Sequence, residues 1–245
     1  NFRANALVRT FRNGGMIAGP VIAGVLAQFF TASSGMWVSA VLPIAATAFI
    51  LLLPLQEKAN STSSILGDVR EALTFARHSP WFVTMLAFWG IFLAIQGGAA
   101  GVVQPVFVTQ LAGANVWSMM ATALALGYIS GSLFATRWEI KTNLISGSIL
   151  FVALSIFQIL AVTLTNNLLV WLVASFIAGI GLEISGVAWG SALQTRVDEK
   201  NIGKVSSLDY AVSFGFVPVG YALYGFLGEA MDPKTVLGIS SLVMI

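Results

Sequence analysis

Runs of about 20 apolar residues, each closed by a short polar stretch, recur along the whole chain. A helix of that length, rising about 1.5 Å per residue, spans a hydrocarbon core about 30 Å thick. Inside such a core every backbone N–H and C=O must be satisfied within its own segment, which makes each run a helix. A soluble reading fails on charge. With 57% hydrophobic and only 9% charged residues, 245 residues lack the polar surface a soluble domain needs. Eight elements follow, at 14–30, 36–55, 81–108, 116–136, 144–164, 168–193, 205–228 and 235–245. The fold class is an all-α membrane protein. Because the chain starts at Asn1 and stops at Ile245 within an apolar run, it is read as an internal piece of a longer protein, with its last helix truncated.

The charges test that assignment. If the chain crosses at each run, Arg3, Arg9, Arg12, Lys58, Arg70, Arg77, Arg137, Lys141, Arg196, Lys200 and Lys204 fall on one side. Only Lys234, of the 12 basic residues, falls on the other. Basic residues collect on the cytoplasmic side of membrane proteins, so the long stretch 56–80 is expected to be cytoplasmic. Dropping one helix would scramble the asymmetry.

Within that stretch, Ile65, Leu66, Val69, Ala72, Leu73 and Ala76 recur at helical spacing opposite Asp68, Arg70, Glu71 and Arg77. This predicts a short amphipathic helix at the membrane surface, with Ser63 or Ser64 as its N-cap, linking two bundles. The chain has no cysteine and a single histidine, His78, so no disulfide, thiol chemistry or histidine metal cluster is expected. Neither a phosphate-binding loop nor a nucleophile–base pair is visible. No enzyme activity, cofactor, metal or nucleic-acid partner is expected.

Two motifs carry a family resemblance. The segment Gly15-Met16-Ile17-Ala18-Gly19-Pro20-Val21-Ile22-Ala23-Gly24 resembles the antiporter signature in the fifth helix of major facilitator drug:proton antiporters, departing from it only at Ala23. Physically, Gly15 and Gly19 allow close helix approach, and Pro20 bends the helix. The second motif runs from Gly190-Ser191-Ala192-Leu193-Gln194 through Val197-Asp198 and Ile202-Gly203-Lys204-Val205-Ser206-Ser207-Leu208-Asp209 to Ser213, Pro218 and Gly225. It resembles the tenth-to-eleventh-helix region of the macrolide-efflux-like branch, the third drug:proton antiporter subfamily. Asp198 stands where a proline is usual and Lys204 replaces an arginine. The resemblance implies a partial major facilitator fold: fifth and sixth helices in 1–55, a cytoplasmic linker in 56–80, and the second six-helix half in 81–245. It also implies that Gly127 and Gly131 on the eighth helix meet Gly15 and Gly19 across the two halves, a seam suited to rocking around a central site.

Several residues are candidates for mechanism. Glu183 is the one acid well inside a span, about 24 Å down its helix from Asn167. Its face neighbours Ser175, Gly179, Gly186 and Gly190 are small, so that face is expected to point into the protein, with Leu182, Ile184 and Trp189 elsewhere. An acid there costs several kcal/mol to insert and is a functional candidate, here for binding the driving proton. A hydrogen bond to a neighbouring helix or contact with cytoplasmic water remains open. Asp209 reads either as an acid in the first turn of its helix, favourable to the helix dipole, or as part of a gate. Trp89, Phe92, Gln96 and Gln104 form one stripe, with Tyr221 on a second helix, where amides among aromatics suit bulky apolar ligands. Gln96 is the foremost candidate; the aromatics serve equally as lipid-facing or belt residues. Gly24 completes the motif positions.

The resemblance implies a secondary-active, proton-coupled exporter of small amphipathic molecules of drug or macrolide type. It would sit in the cell membrane and act as a monomer, its partners being substrate, protons and lipid. An exporter of a native metabolite or siderophore, and a transport-inactive receptor of the same fold, are the alternatives.

Overall fold

The computed structural model describes residues 65–137 and 143–244, and, before them, the helical positions Gly15, Val41, Pro43, Ile44, 46–49 and Leu51. The chain divides into two compact units, Asn1–Ser64 and Ile65–Ile245. The boundary falls inside the stretch read as a linker, so the amphipathic helix belongs to the second unit. The remainder of the spans at 14–30 and 36–55, both candidate capping serines, and Gly19, Pro20 and Gly24 lie outside the described residues.

Every regular element among the second unit's described residues is a helix. A surface helix, α1 (Ile65–Arg77), leads into α2 (Pro80–Ala112), α3 (Ala114–Arg137), α4 (Leu144–Leu164), α5 (Leu168–Arg196), α6 (Ile202–Ala230) and α7 (Pro233–Val243). Helices α2 to α6 are each long and apolar enough to cross a membrane. Their outer faces carry exposed Leu150, Leu164, Leu169 and Phe226, which hydrocarbon would solvate and water would not.

Local chemistry explains the boundaries. Pro80 and Pro233 stand at the starts of α2 and α7, where a missing N–H costs nothing. Asn143, Asn167 and Asp232 cap α4, α5 and α7 by accepting from backbone N–H groups of the first turn. At Gly113, φ is +92°, a conformation open to glycine, and there the chain turns from α2 into α3. Helix α2 contains a π-helical turn, Ala99–Val103, which ends two residues before Pro105. Widening the helix there accommodates a proline that can neither donate nor tolerate the usual preceding turn.

The helices pack as two groups. Helix α5 is flanked by α3 and α4, while α2 pairs with α6 and α1 lies on the α6 start. Helix α7 spans between them, against α4 and α2. Close pairing needs small residues. A Cβ on Gly220 of α6 would strike the Ala94 carbonyl of α2, and Gly98 is covered by the Tyr224 ring.

Two apolar cores result. One lies at the α1 end, around Phe82, Met85, Trp89, Trp189 and Val205. There the Phe82 and Trp189 rings stack at 6.5 Å, and the Arg196 guanidinium sits 5.3 Å over Trp81. The other lies at the far end, around Val103, Met120, Ile159, Trp171 and Leu237.

The predicted amphipathic helix is present, and its anchor is specific. Lys204 Nζ at the start of α6 lies 2.8 Å from Asp68 Oδ1 and 2.6 Å from Glu71 Oε2. Ala72 and Ala76 are buried, while Leu66, Val69 and Leu73 remain exposed.

Candidate functional site

The two buried carboxyls of the described residues lie on different helices, Glu183 on α5 and Asp209 on α6. Glu183 is 6% exposed. The small face on which it sits does face inward at Ser175 and Gly179, as expected. It does not do so at Gly186, which is exposed. Ile184 and Trp189, expected elsewhere, are buried as well. Helix α5 is sandwiched on more than one side, so a single inward stripe is the wrong picture for it.

The glycine face of α3 has a partner within the second unit. Gly127 and Gly131 do form a close-approach face, but the helix against it is α5. A Cβ on Gly127 would fall on the Phe176 carbonyl and 2.9 Å from Gly179 Cα. At Gly131 it would lie 2.9 Å from the Ile180 carbonyl and 3.1 Å from Glu183 Cβ. This surface is filled by α5, and Gly19 lies outside the described residues. Spacing shows that a face is small; it does not say whose backbone fills it.

Asp209 is 7% exposed and lies two turns inside α6, because the helix starts at Ile202. The first-turn reading is therefore corrected. Its Oδ2 accepts from the Trp189 indole N–H at 3.0 Å, and its Oδ1 accepts from Ser213 Oγ at 3.3 Å. Among the described residues it has no Lys or Arg partner. The Trp189–Asp209 bond is one of few links between α5 and α6.

The α2 stripe splits. Trp89 and Phe92 are buried in the aromatic core, with ring centroids 5.7 Å apart and Trp89 6.5 Å from Trp189. Gln96 is half-buried. Both the Trp89 indole nitrogen and Gln96 Oε1 are buried without a hydrogen-bond partner among the described residues. Such groups are costly in a finished core, and a ligand offering one acceptor and one donor would satisfy both.

Gln104, by contrast, is wholly buried and faces a neighbouring helix. Its Nε2 donates to the Gln158 carbonyl at 3.2 Å, and Gln158 Nε2 donates back to Gln104 Oε1 at 3.3 Å. The π turn resets the helical phase between Gln96 and Gln104, so this amide locks α2 to α4 instead of lining a cavity. Gln104→Leu is expected to destabilise the protein by about 1–3 kcal/mol by leaving Gln158 unpaired. Adding Gln158→Leu should recover most of that, read as paired thermal melts in detergent. If the single and double variants melt alike, the amide pair is not a coupled lock. Tyr221 is half-exposed and packs over Gly97 and Gly101 on the α2–α6 seam.

The sequence reading missed Gln158 and the Trp189–Asp209 pair. For Gln158 a signal existed, since an amide in the middle of an apolar run needs a partner. For Trp189 there was none.

No curated protein and no solved structure matches the chain. The family model described as Major Facilitator Superfamily matches residues 3–221. Together with the crossing helices, this match makes the chain a member of the Major Facilitator Superfamily and a multi-pass membrane transporter.

Proposed function

We propose that this chain is the fifth-to-twelfth-helix portion of a secondary-active exporter of the macrolide-efflux-like branch. It moves small amphipathic molecules out of the cell against an inward flow of protons. The observation that carries this reading is Glu183, a carboxyl buried in the middle of a membrane-crossing helix. Ionisable groups in that position are a usual part of proton relays. Alternating access would let the group meet each side in turn. Trp89 and Gln96 support a substrate that is mostly apolar with a few hydrogen-bonding groups.

The charge distribution supports an orientation in the cell membrane. Contacts join the region around Asp68, Glu71 and Trp81 to that around Arg196 and Lys204, so Arg70, Arg196, Lys200 and Lys204 gather at the α1 end. That end is then cytoplasmic.

Cells expressing the protein and loaded with an amphipathic fluorescent dye should extrude it, and a protonophore should stop the extrusion. Dye loss that continues after the gradient collapses would eliminate proton coupling. Absence of any dye loss would favour the receptor alternative.

A further inference from the structure

Between α1 and the turn joining α5 to α6 lies a cleft of about 540 Å³. Arg70, Glu71 and Phe75 of α1, with His78 just past its end, line one wall, and Lys200 and Lys204 line the other. Lys204 is taken up by Asp68 and Glu71. Arg70 and Lys200 are exposed and form no ion pair among the described residues. His78 Nδ1 lies 2.8 Å from the Thr74 carbonyl, which requires a proton on that nitrogen. The cleft therefore presents two uncommitted cations beside the His78 ring.

Its surroundings say which anion fits. Leu66, Val69 and Leu73 are 81%, 48% and 46% exposed and lie on one helical stripe. Arg70 and Arg77 stand on the edge of that stripe, on the side of the cleft, at about 100° of rotation per residue. An amphipathic helix so arranged lies in the interface with its apolar stripe among acyl chains.

We propose that this cleft binds the phosphate headgroup of an anionic phospholipid of the leaflet on the α1 side, with the acyl chains against Leu66, Val69 and Leu73. Basic pockets beside membrane helices hold such headgroups. A free phosphate fits less well, because Glu71 repels a dianion and the apolar stripe gives it nothing. The proposal rests on α1 lying at the membrane surface and is independent of proton coupling.

The test is lipid retention by the purified protein in detergent, counted by native mass spectrometry. Phosphatidylglycerol should be retained in preference to phosphatidylcholine. Arg70→Gln with Lys200→Gln should lower phosphatidylglycerol retention about twenty-fivefold, at roughly fivefold per charge. If the double variant does not purify, Lys200→Gln alone, on an exposed turn, should still show the fivefold loss. Equal retention of the two lipids, or undiminished retention by either variant, overturns the proposal. So does displacement of the lipid by millimolar inorganic phosphate, which would mark a soluble-anion site. Failure of the dye experiment would leave this result untouched.

Discussion

Gly127→Val is expected to abolish the folded second unit. Its Cβ would land on the Phe176 carbonyl of α5 and within 2.9 Å of Gly179 Cα. Both are backbone, so no rotamer change relieves the clash, and α3 must separate from α5. Gly179 meets the Leu124 carbonyl and Gly127 Cα in return, so the two glycines are mutually required. In a bilayer, helices associate through close packing because lipid is as apolar as leucine, and loss of contact is not offset elsewhere. Overpacking a flexible core costs typically about 1–3 kcal/mol, and a backbone clash should reach or pass the upper end. Gly186 is the control. A Cβ there meets open space, and Gly186→Ala should shift stability by less than about 0.5 kcal/mol. Thermal melts followed by size-exclusion chromatography decide the matter: equal melting of the two variants would remove the α3–α5 seam.

Glu183→Gln should reduce gradient-driven efflux at least tenfold, equivalent to about 1.4 kcal/mol or more in the rate-limiting barrier. Glutamine keeps the size and hydrogen-bonding capacity of the side chain, and it can no longer gain or lose the proton. Folding should survive, because the position beside Gly131 already accepts a side chain of this shape. Dye binding to the purified variant should be retained, which separates a coupling role from a substrate-contact role. Efflux at the parental rate, with the same protonophore sensitivity, would exclude Glu183 as the coupling group. Transport would then have to draw on another acid.

Crossing helices were legible because hydrophobic length and positive charge are one-dimensional properties. The five long spans start and stop within a few residues of where their apolar runs do. The amphipathic linker helix was legible for the same reason, since its two faces are written in the spacing of Leu66, Val69 and Ala72. Pairwise packing was not. Gly127 and Gly131 announce a close approach, yet nothing in their own helix names Gly179 as the partner. Gln96 and Gln104 look equivalent on a regular helix and are separated by a π turn that no residue of Ala99–Val103 advertises. Asp209 was misplaced because the helix begins three residues before the apolar run does, at Ile202 instead of Val205.

The bundle's polar fastenings have a further consequence. Gln104 with Gln158, Ser185 with the Ser148 carbonyl, Tyr224 with Ser240, and Trp171 with the Thr165 carbonyl are all neutral pairs. Among the described residues, Glu183 and Asp209 are the only buried groups that carry a carboxyl. The scaffold is thus electrically quiet. Changes of pH or salt find no charge in these pairs to act upon.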